Sequence, residues 1–139
     1  MTAKCRSVNE ELELLLSSVA RAIDIAKFIA KRTSNAVLIN SMLMLKANYE
    51  RILSMACDIL KLSDVDCSRE GCDAPIDGGD VEAAIKALRE VNGVIKQCIL
   101  DLACRFSDPR SHALRRLAFI CDVNDGLLEA IIENLNFIE

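Results

Sequence analysis

Hydrophobic residues recur at intervals of three and four along four separate segments of the chain. An α-helix completes a turn in about 3.6 residues, so this spacing places the apolar side chains of each segment on one face. The first segment predicts a helix over residues 8–32, and the second predicts a helix that ends near Leu62. The third and fourth predicted helices begin after Asp80 and Asp108.

Each predicted helix has its own apolar seam. The first seam consists of Val8, Leu12, Leu15, Val19, Ala22, Ala26 and Ile29, and the second of Leu38, Met42, Leu45, Tyr49, Ile52, Ala56 and Ile59. The third consists of Val81, Ala84, Leu88, Val91, Ile95, Cys98 and Leu102, and the fourth of Leu114, Leu117, Cys121, Asn124, Leu128, Ile131, Leu135 and Ile138. Four such seams with mostly short turns predict an all-α fold, an antiparallel four-helix bundle.

Residues that favour helix ends stand at the predicted boundaries. Ser7 is followed three residues later by Glu10, which is the capping-box pattern. Asp80 and Asp108 are also suited to the N-cap, and Pro109 suits the first position of the fourth helix. The length of 139 residues corresponds to one domain, residues 1–139, that can bury a core of its own.

The fourth helix contains one local conflict. Asn124 falls on its apolar seam, and Gly126 falls in its interior. A glycine inside a helix favours a kink or a break there, whereas a buried asparagine can fix the register of packed helices. Both interpretations are open from the sequence.

Net charge and composition limit the classes of function. The net charge of −4 disfavours a general nucleic-acid binder, because binding phosphates requires a clustered basic surface. No apolar run is long enough to span a membrane, and the first residues do not resemble a signal peptide. The seven cysteines are odd in number and scattered, which favours reduced thiols and a cytoplasmic protein.

A long acidic loop is predicted between the second and third helices, in the segment "SDVDCSREGCDAPIDGGD". Asp64, Asp66 and Ser68 have the alternating spacing of a calcium loop, but Arg69 and Pro75 occupy its turn and closing positions. Calcium binding is therefore disfavoured, and a solvated linker that crosses the bundle is the expected structure. Its length also allows it to connect two helices that are not neighbours.

The same loop contains two cysteines, Cys67 and Cys72, which could pair as a disulfide on oxidation. Zinc needs four nitrogen or sulfur ligands, and no histidine lies near them in the sequence. The chain also lacks a glycine-rich phosphate loop, and its single histidine cannot supply a di-iron site. We therefore expect no metal and no cofactor.

The single histidine, His112, lies among arginines at the start of the fourth helix, and Arg110, Arg115 and Arg116 form a candidate anion-binding patch. The string "SHALR" resembles the phosphoacceptor box of histidine-kinase dimerisation domains, which implies phosphotransfer through His112. Arg105 and His112, with six residues between them, resemble the Arg-x4–6-His motif of HEPN-domain ribonucleases. That resemblance implies RNA cleavage by the two residues paired across a dimer. A solvated surface histidine is the third interpretation.

Several large apolar residues fall outside the seams. Leu14, Ile25 and Phe28 lie off the first seam, and Leu43 and Met44 interrupt the polar face of the second helix. Either the apolar stripes are wide and pack under two neighbours, or these residues form a surface that binds a second copy or a partner helix. We therefore expect a non-enzymatic bundle that acts by helix-mediated association as an adaptor or chaperone-like subunit, most simply a homodimer.

Overall fold

The computed structural model describes residues 7–62 and 80–138 of the chain. In these ranges four long helices form a bundle: α1 (Val8–Arg32), α2 (Ala36–Leu60), α3 (Val81–Ala103) and α4 (Pro109–Glu133). A short helix, α5 (Leu135–Ile138), follows α4. The predicted all-α four-helix bundle is thus confirmed. The predicted acidic loop, with its calcium, zinc and disulfide alternatives at Cys67 and Cys72, lies outside the described residues.

The predicted N-caps are present as hydrogen bonds. The amide of Glu10 donates to Ser7 Oγ and the amide of Ser7 donates to Glu10 Oε1, each at 3.1 Å, which completes the capping box of α1. Asp80 caps α3 by accepting from the Glu82 amide at 3.0 Å. Each such cap satisfies a backbone donor that the helix itself cannot, and contributes about 1 kcal/mol.

The four seams meet in one core, and nearly all of their residues are buried or packed against it. Val8, at the first turn of α1, remains exposed, and Leu12 is only half-buried. The largest fully buried side chains come from all of α1, α2 and α3 and include Tyr49, Leu15, Ile29, Met42, Ile85 and Ile99.

The order of the helices around the bundle differs from their order along the chain. α1 packs against α2 and α3, and α4 packs against the same two helices. Consequently α2 and α3, which follow each other in sequence, lie on a diagonal. The segment 63–79 therefore connects two helices that are not neighbours, which the length of the predicted linker allows.

Ion pairs show that α3 and α4 run antiparallel. Arg89 Nε lies 3.0 Å from Asp125 Oδ1, and Lys96 Nζ lies 2.6 Å from Asp122 Oδ1. Residue numbers rise along α3 while those of the partners fall along α4, so the two helices form a hairpin. α1 and α2 form the second hairpin, joined by residues 33–35.

The structure decides between the two interpretations of the fourth helix. α4 continues as one helix through Gly126, so the break that a glycine favours is absent there, and the helix ends at Glu133 with Asn134 as its C-cap. Gly126 is exposed, and Asn124 is fully buried. The asparagine therefore belongs to the core, and the glycine needs no special backbone conformation.

A buried hydrogen-bond network connects three helices at mid-height. The Tyr49 hydroxyl donates to Asn92 Oδ1 at 2.9 Å, and Asn92 Nδ2 donates to the carbonyl of Cys121 at 2.9 Å. Asn48 Nδ2 donates to Asn124 Oδ1 at 2.8 Å, and Asn124 Nδ2 approaches Asn92 Oδ1 at 3.4 Å. Because a buried polar group without a partner is costly, this network fixes the register of α2, α3 and α4.

Candidate functional site

The five predicted interface residues fall in different environments. Ile25 is only 2% exposed and belongs to the core, and Leu14 and Phe28 are half-buried against it. Leu43 and Met44 are 53% and 56% exposed. The expectation of a surface on helix 1 is therefore wrong at Ile25, whereas the two residues of α2 are accessible.

The position of α1 explains this correction. α1 packs against both α2 and α3, so a wide apolar stripe is needed to cover two neighbours. Phe28 at the edge of that stripe also lies under the Arg32 guanidinium, whose central carbon is 5.0 Å from the ring centroid. The alternative that a wide stripe packs under two neighbours therefore holds for α1.

An exposed apolar stripe runs along α2, and of its residues only Met44 was expected at a surface from the sequence. Val37, Met44 and Met55 are all exposed. They are separated by seven and eleven residues, which are close to two and three helical turns, so they share one line on the helix surface. The spacing of these three residues could have indicated the stripe from the sequence. The apolar seam of α2 alone does not show which of its remaining faces is exposed to solvent.

A second stripe lies on α4, where Phe119 is 66% and Val123 is 63% exposed. The two residues are four apart and therefore project from the same face. Val123 directly precedes Asn124, which pairs with Asn48 of α2 one turn from Met44. The two stripes thus lie on either side of the contact between α2 and α4.

Arg105 and His112 both lie at the end of the bundle where α3 turns into α4, and both are exposed. Arg105 is in the turn after α3, with its amide donating to the Leu102 carbonyl at 2.9 Å. His112 is in the first turn of α4. The predicted pair therefore shares one end of the molecule.

The predicted anion patch divides into two parts. Arg110 Nη2 lies 2.6 Å from Asp108 Oδ2, and its guanidinium carbon lies 4.2 Å from the centroid of the Phe106 ring. Hydrogen bonds from the Arg110 side chain hold the pKa of the Asp108 carboxyl below its usual value. Arg110 therefore serves the turn, while Arg115 and Arg116 project from the outer side of α4.

Charge is segregated along α4. Arg115 and Arg116 lie in its N-terminal half, and Arg115 Nη2 makes a weak contact of 3.7 Å to Cys104 Sγ. The acids lie in the C-terminal half, where Glu129 Oε2 is 3.5 Å from Arg89 Nη2 of α3. This order opposes the helix macrodipole, which favours acids near the N-terminus and bases near the C-terminus.

Two buried side chains of the core, Cys121 and Tyr49, carry groups that can ionise. Burial raises the pKa of the Cys121 thiol to about 12, so the group stays protonated at neutral pH. Burial likewise raises the pKa of the Tyr49 phenol well above its usual value. Both side chains are therefore structural in this fold.

The cysteines of the described residues are in two states. Cys98, Cys104 and Cys121 form no disulfide, whereas Cys57 near the end of α2 is disulfide-bonded. The expectation of reduced thiols is therefore wrong at Cys57. Within residues 7–62 and 80–138, no three histidine, cysteine or acidic side chains come together in a way that could hold a metal ion.

Comparison of the chain with protein-family models, curated proteins and solved structures found no match. In the described part of the chain, no helix combines the length and apolar character needed to cross a membrane. The two apolar stripes and the basic end of the bundle are therefore the features from which a function can be proposed.

Proposed function

We propose that this protein is a non-enzymatic helical bundle that acts through helix-mediated self-association or partner binding, as an adaptor or chaperone-like subunit. The supporting observation is the exposure of large apolar side chains that are aligned on α2, two and three turns apart, and on successive turns of α4. A single exposed apolar residue is ordinary in a monomer, but several aligned on one face are typical of interaction surfaces. A homodimer that needs no cofactor is the simplest form of this function.

The energetics agree with such a role. Burying one Val, Leu, Met or Phe side chain completely contributes about 1.5–3 kcal/mol. Association costs about 4–15 kcal/mol in lost freedom of motion, so one or two side chains cannot hold a dimer. The stripes on α2 and α4 together provide five large residues, namely Val37, Met44, Met55, Phe119 and Val123.

Charge supports a protein partner more than a nucleic acid, because the net charge is −4 and the basic residues lie among acidic ones on all four helices. A cytoplasmic location, as expected from the scattered cysteines, agrees with the three cysteines that form no disulfide and is opposed by the disulfide at Cys57.

The double substitution Leu43→Glu with Met44→Glu tests the proposal on α2. Both residues are exposed, so the charges leave the fold intact and lower the solution mass by preventing association. Light scattering across a dilution series measures this mass. Val94→Glu is the matched control, because Val94 is also exposed but lies on α3. An assembly that survives the double substitution contradicts a contact through this part of α2.

A ribonuclease of the HEPN type is the second candidate, because Arg105 and His112 are exposed at the same end of the bundle. If the pair cleaves RNA across a dimer, His112→Ala abolishes cleavage of a single-stranded RNA while circular dichroism and solution mass stay unchanged. Under the first proposal, His112→Ala alters neither assembly nor function. A wild-type protein that leaves the RNA intact contradicts the ribonuclease.

Phosphotransfer through His112 is the third candidate, and the exposure of the imidazole in the first turn of α4 is the observation that favours it. Incubation with a phosphorylated donor protein would then give an acid-labile label that His112→Ala removes. An absence of label on the wild-type protein contradicts this candidate.

A further inference from the structure

The outer face of α4 has an apolar centre with an open space beside it. Phe119 and Val123 are the exposed large apolar residues of this face, and the exposed Gly126 follows three residues further on. A Cβ atom placed on Gly126 would meet no other atom within 4 Å. The face therefore carries a projecting phenyl ring at Phe119 and, two helical turns further on, a position without a side chain at Gly126.

One edge of the same face carries opposite charges at its two ends. Arg115 and Glu133 are eighteen residues apart, which is about five helical turns, so both project from the same edge. Glu129 lies on this edge as well, and its carboxylate already contacts Arg89 of α3. Asp122 lies on the edge too, between the two ends, and is paired with Lys96 of α3 at 2.6 Å. The edge is thus basic before Phe119 and acidic from Asp122 onward.

We propose that a second copy of this chain binds along this face, with the two α4 helices antiparallel around a twofold axis next to Val123. The inference rests on the self-association proposed above and identifies its partner and its central contact. In a twofold contact, if a residue of the first copy contacts a given residue of the second copy, the same contact occurs with the two copies exchanged, so each interaction away from the axis occurs twice.

The register follows from the positions of Phe119 and Gly126. With the axis between positions 122 and 123, each Phe119 ring lies over Gly126 of the second copy. Arg115 is then level with Ala130 of that copy, between Glu129 and Glu133. Glu133 is three residues, or about 4.5 Å, along the helix from that level, which is within reach of an arginine side chain. The weak contact of Arg115 with Cys104 Sγ would be exchanged for a charged one.

Charge complementarity selects a second copy in this orientation. An antiparallel pair places the basic half of each α4 against the acidic half of the other. The dipoles of the two helices then point in opposite directions, which is favourable as well. A parallel pair would place arginine against arginine and glutamate against glutamate. The charge order that is unfavourable in an isolated α4 therefore becomes favourable in the antiparallel pair.

The stripe on α2 extends the same contact. Twofold symmetry of this kind brings each edge of the face against the same edge of the second copy, so the two α2 helices approach each other beside the α4 pair. A stable interface buries about 800 Å² on each partner. Two helices from each copy can cover such an area, and Met44 and Met55 lie on the flanking helix.

A charge exchange tests the pairing. Arg115→Glu alone and Glu133→Arg alone each place like charges together at two symmetric sites, so we expect each to weaken the dimer at least about tenfold. An equimolar mixture of the two variants restores both contacts in the mixed dimer, and its affinity returns to within about threefold of the wild type. Light scattering across a dilution series at low salt measures each mass.

Matched controls keep the net charge of each variant but move the substitution to α3. Lys86→Glu and Glu82→Arg alter two exposed residues that pair with each other at 3.4 Å, and neither should change the dimer. Gly126→Leu is a further variant, because the monomer has room for the side chain but the Phe119 ring of a second copy does not. Circular dichroism of each variant checks the fold.

The outcomes separate this inference from the general proposal. Loss of the dimer in both single variants with recovery in the mixture supports the antiparallel pair. A dimer that resists every α4 substitution but dissociates with Leu43→Glu and Met44→Glu overturns the α4 pairing and leaves self-association standing. Single variants that dissociate without recovery on mixing overturn the antiparallel orientation. A wild-type monomer at every concentration overturns both the pairing and the homodimer.

Discussion

At the scale of single residues, polar side chains define the centre of this bundle. Tyr49, Asn92 and Asn124 are buried, and each takes part in the network that joins three helices. The sequence predicted a buried role for Asn124 because the residue interrupts an apolar seam. The sequence did not predict the role of Asn92, because that residue lies beside the seam of α3. Periodicity within α3 does not show that Tyr49 of the diagonally placed α2 reaches it.

The buried Tyr49 phenol makes stability sensitive to alkali. Burial raises its pKa above the usual 10.0, so the stabilisation is complete below pH 10 and decreases as the pH rises further. We predict that the unfolding free energy of the wild type falls relative to that of Tyr49→Phe above pH 10. Urea unfolding of the two proteins at several pH values measures the difference.

The absorbance of the protein at 295 nm gives an independent check. Tyr49 is the single tyrosine and the chain has no tryptophan, so the signal reports one group. The absorbance should stay flat as the pH passes 10 and rise only when the protein unfolds. An ordinary titration of the folded protein near pH 10 would show that the phenol is accessible and would contradict the buried network.

At the scale of helices, boundaries were the most predictable feature. Capping residues act on backbone groups within three residues, so Ser7, Asp80 and Asp108 identify helix starts without knowledge of the fold. The continuity of α4 was less predictable. A glycine inside a helix costs about 0.5–1 kcal/mol. The burial of Asn124 before Gly126 and of Leu128 after it outweighs this cost.

The start of α4 should weaken in acid. Hydrogen bonds from Arg110 lower the pKa of Asp108 below its usual 3.8, so the stabilisation is present above pH 3.8 and is lost as the pH falls through the lowered value. Asp108→Asn keeps a capping side chain but has no charge to lose. We predict that the wild type is more stable than the variant at pH 7 and that the difference disappears in acid.

Thermal unfolding of both proteins between pH 7 and pH 2 measures this difference. Asp101→Asn is the matched control, because Asp101 accepts from Gln97 at 2.8 Å on the surface of α3 but caps no helix. A difference between wild type and Asp108→Asn that is the same at every pH would show that the carboxylate charge does not contribute.

At the scale of the whole molecule, the order of the helices decided which apolar residues are exposed. The period of a helix shows that it has an apolar face, but the width of that face depends on how many neighbours it has. α1 has two closely packed neighbours, and Ile25 is buried between them. The sequence therefore placed the candidate surface partly on α1, whereas most of the exposed large apolar residues lie on α2 and α4.

The thiol state is a property of the whole chain that alkylation can measure. We predict that Cys57 remains unlabelled when the protein is denatured without reductant and becomes labelled after reduction, because it is disulfide-bonded. Exposed Cys104 serves as the control, since it should react in the native protein. Labelling of Cys57 before reduction would contradict the disulfide and would agree with a cytoplasmic location.

The diagonal placement of α2 and α3 has a consequence for how the chain tolerates change. In the sequence the two helical hairpins are connected by residues 63–79, and the length of such a connection sets the effective concentration of one hairpin around the other. That concentration declines slowly with the length of the connection, and doubling the length of a flexible loop costs only about 0.6 kcal/mol. Insertions between the hairpins should therefore be far less harmful than insertions in residues 33–35 or 104–108, where each added residue would disturb the closure of a hairpin.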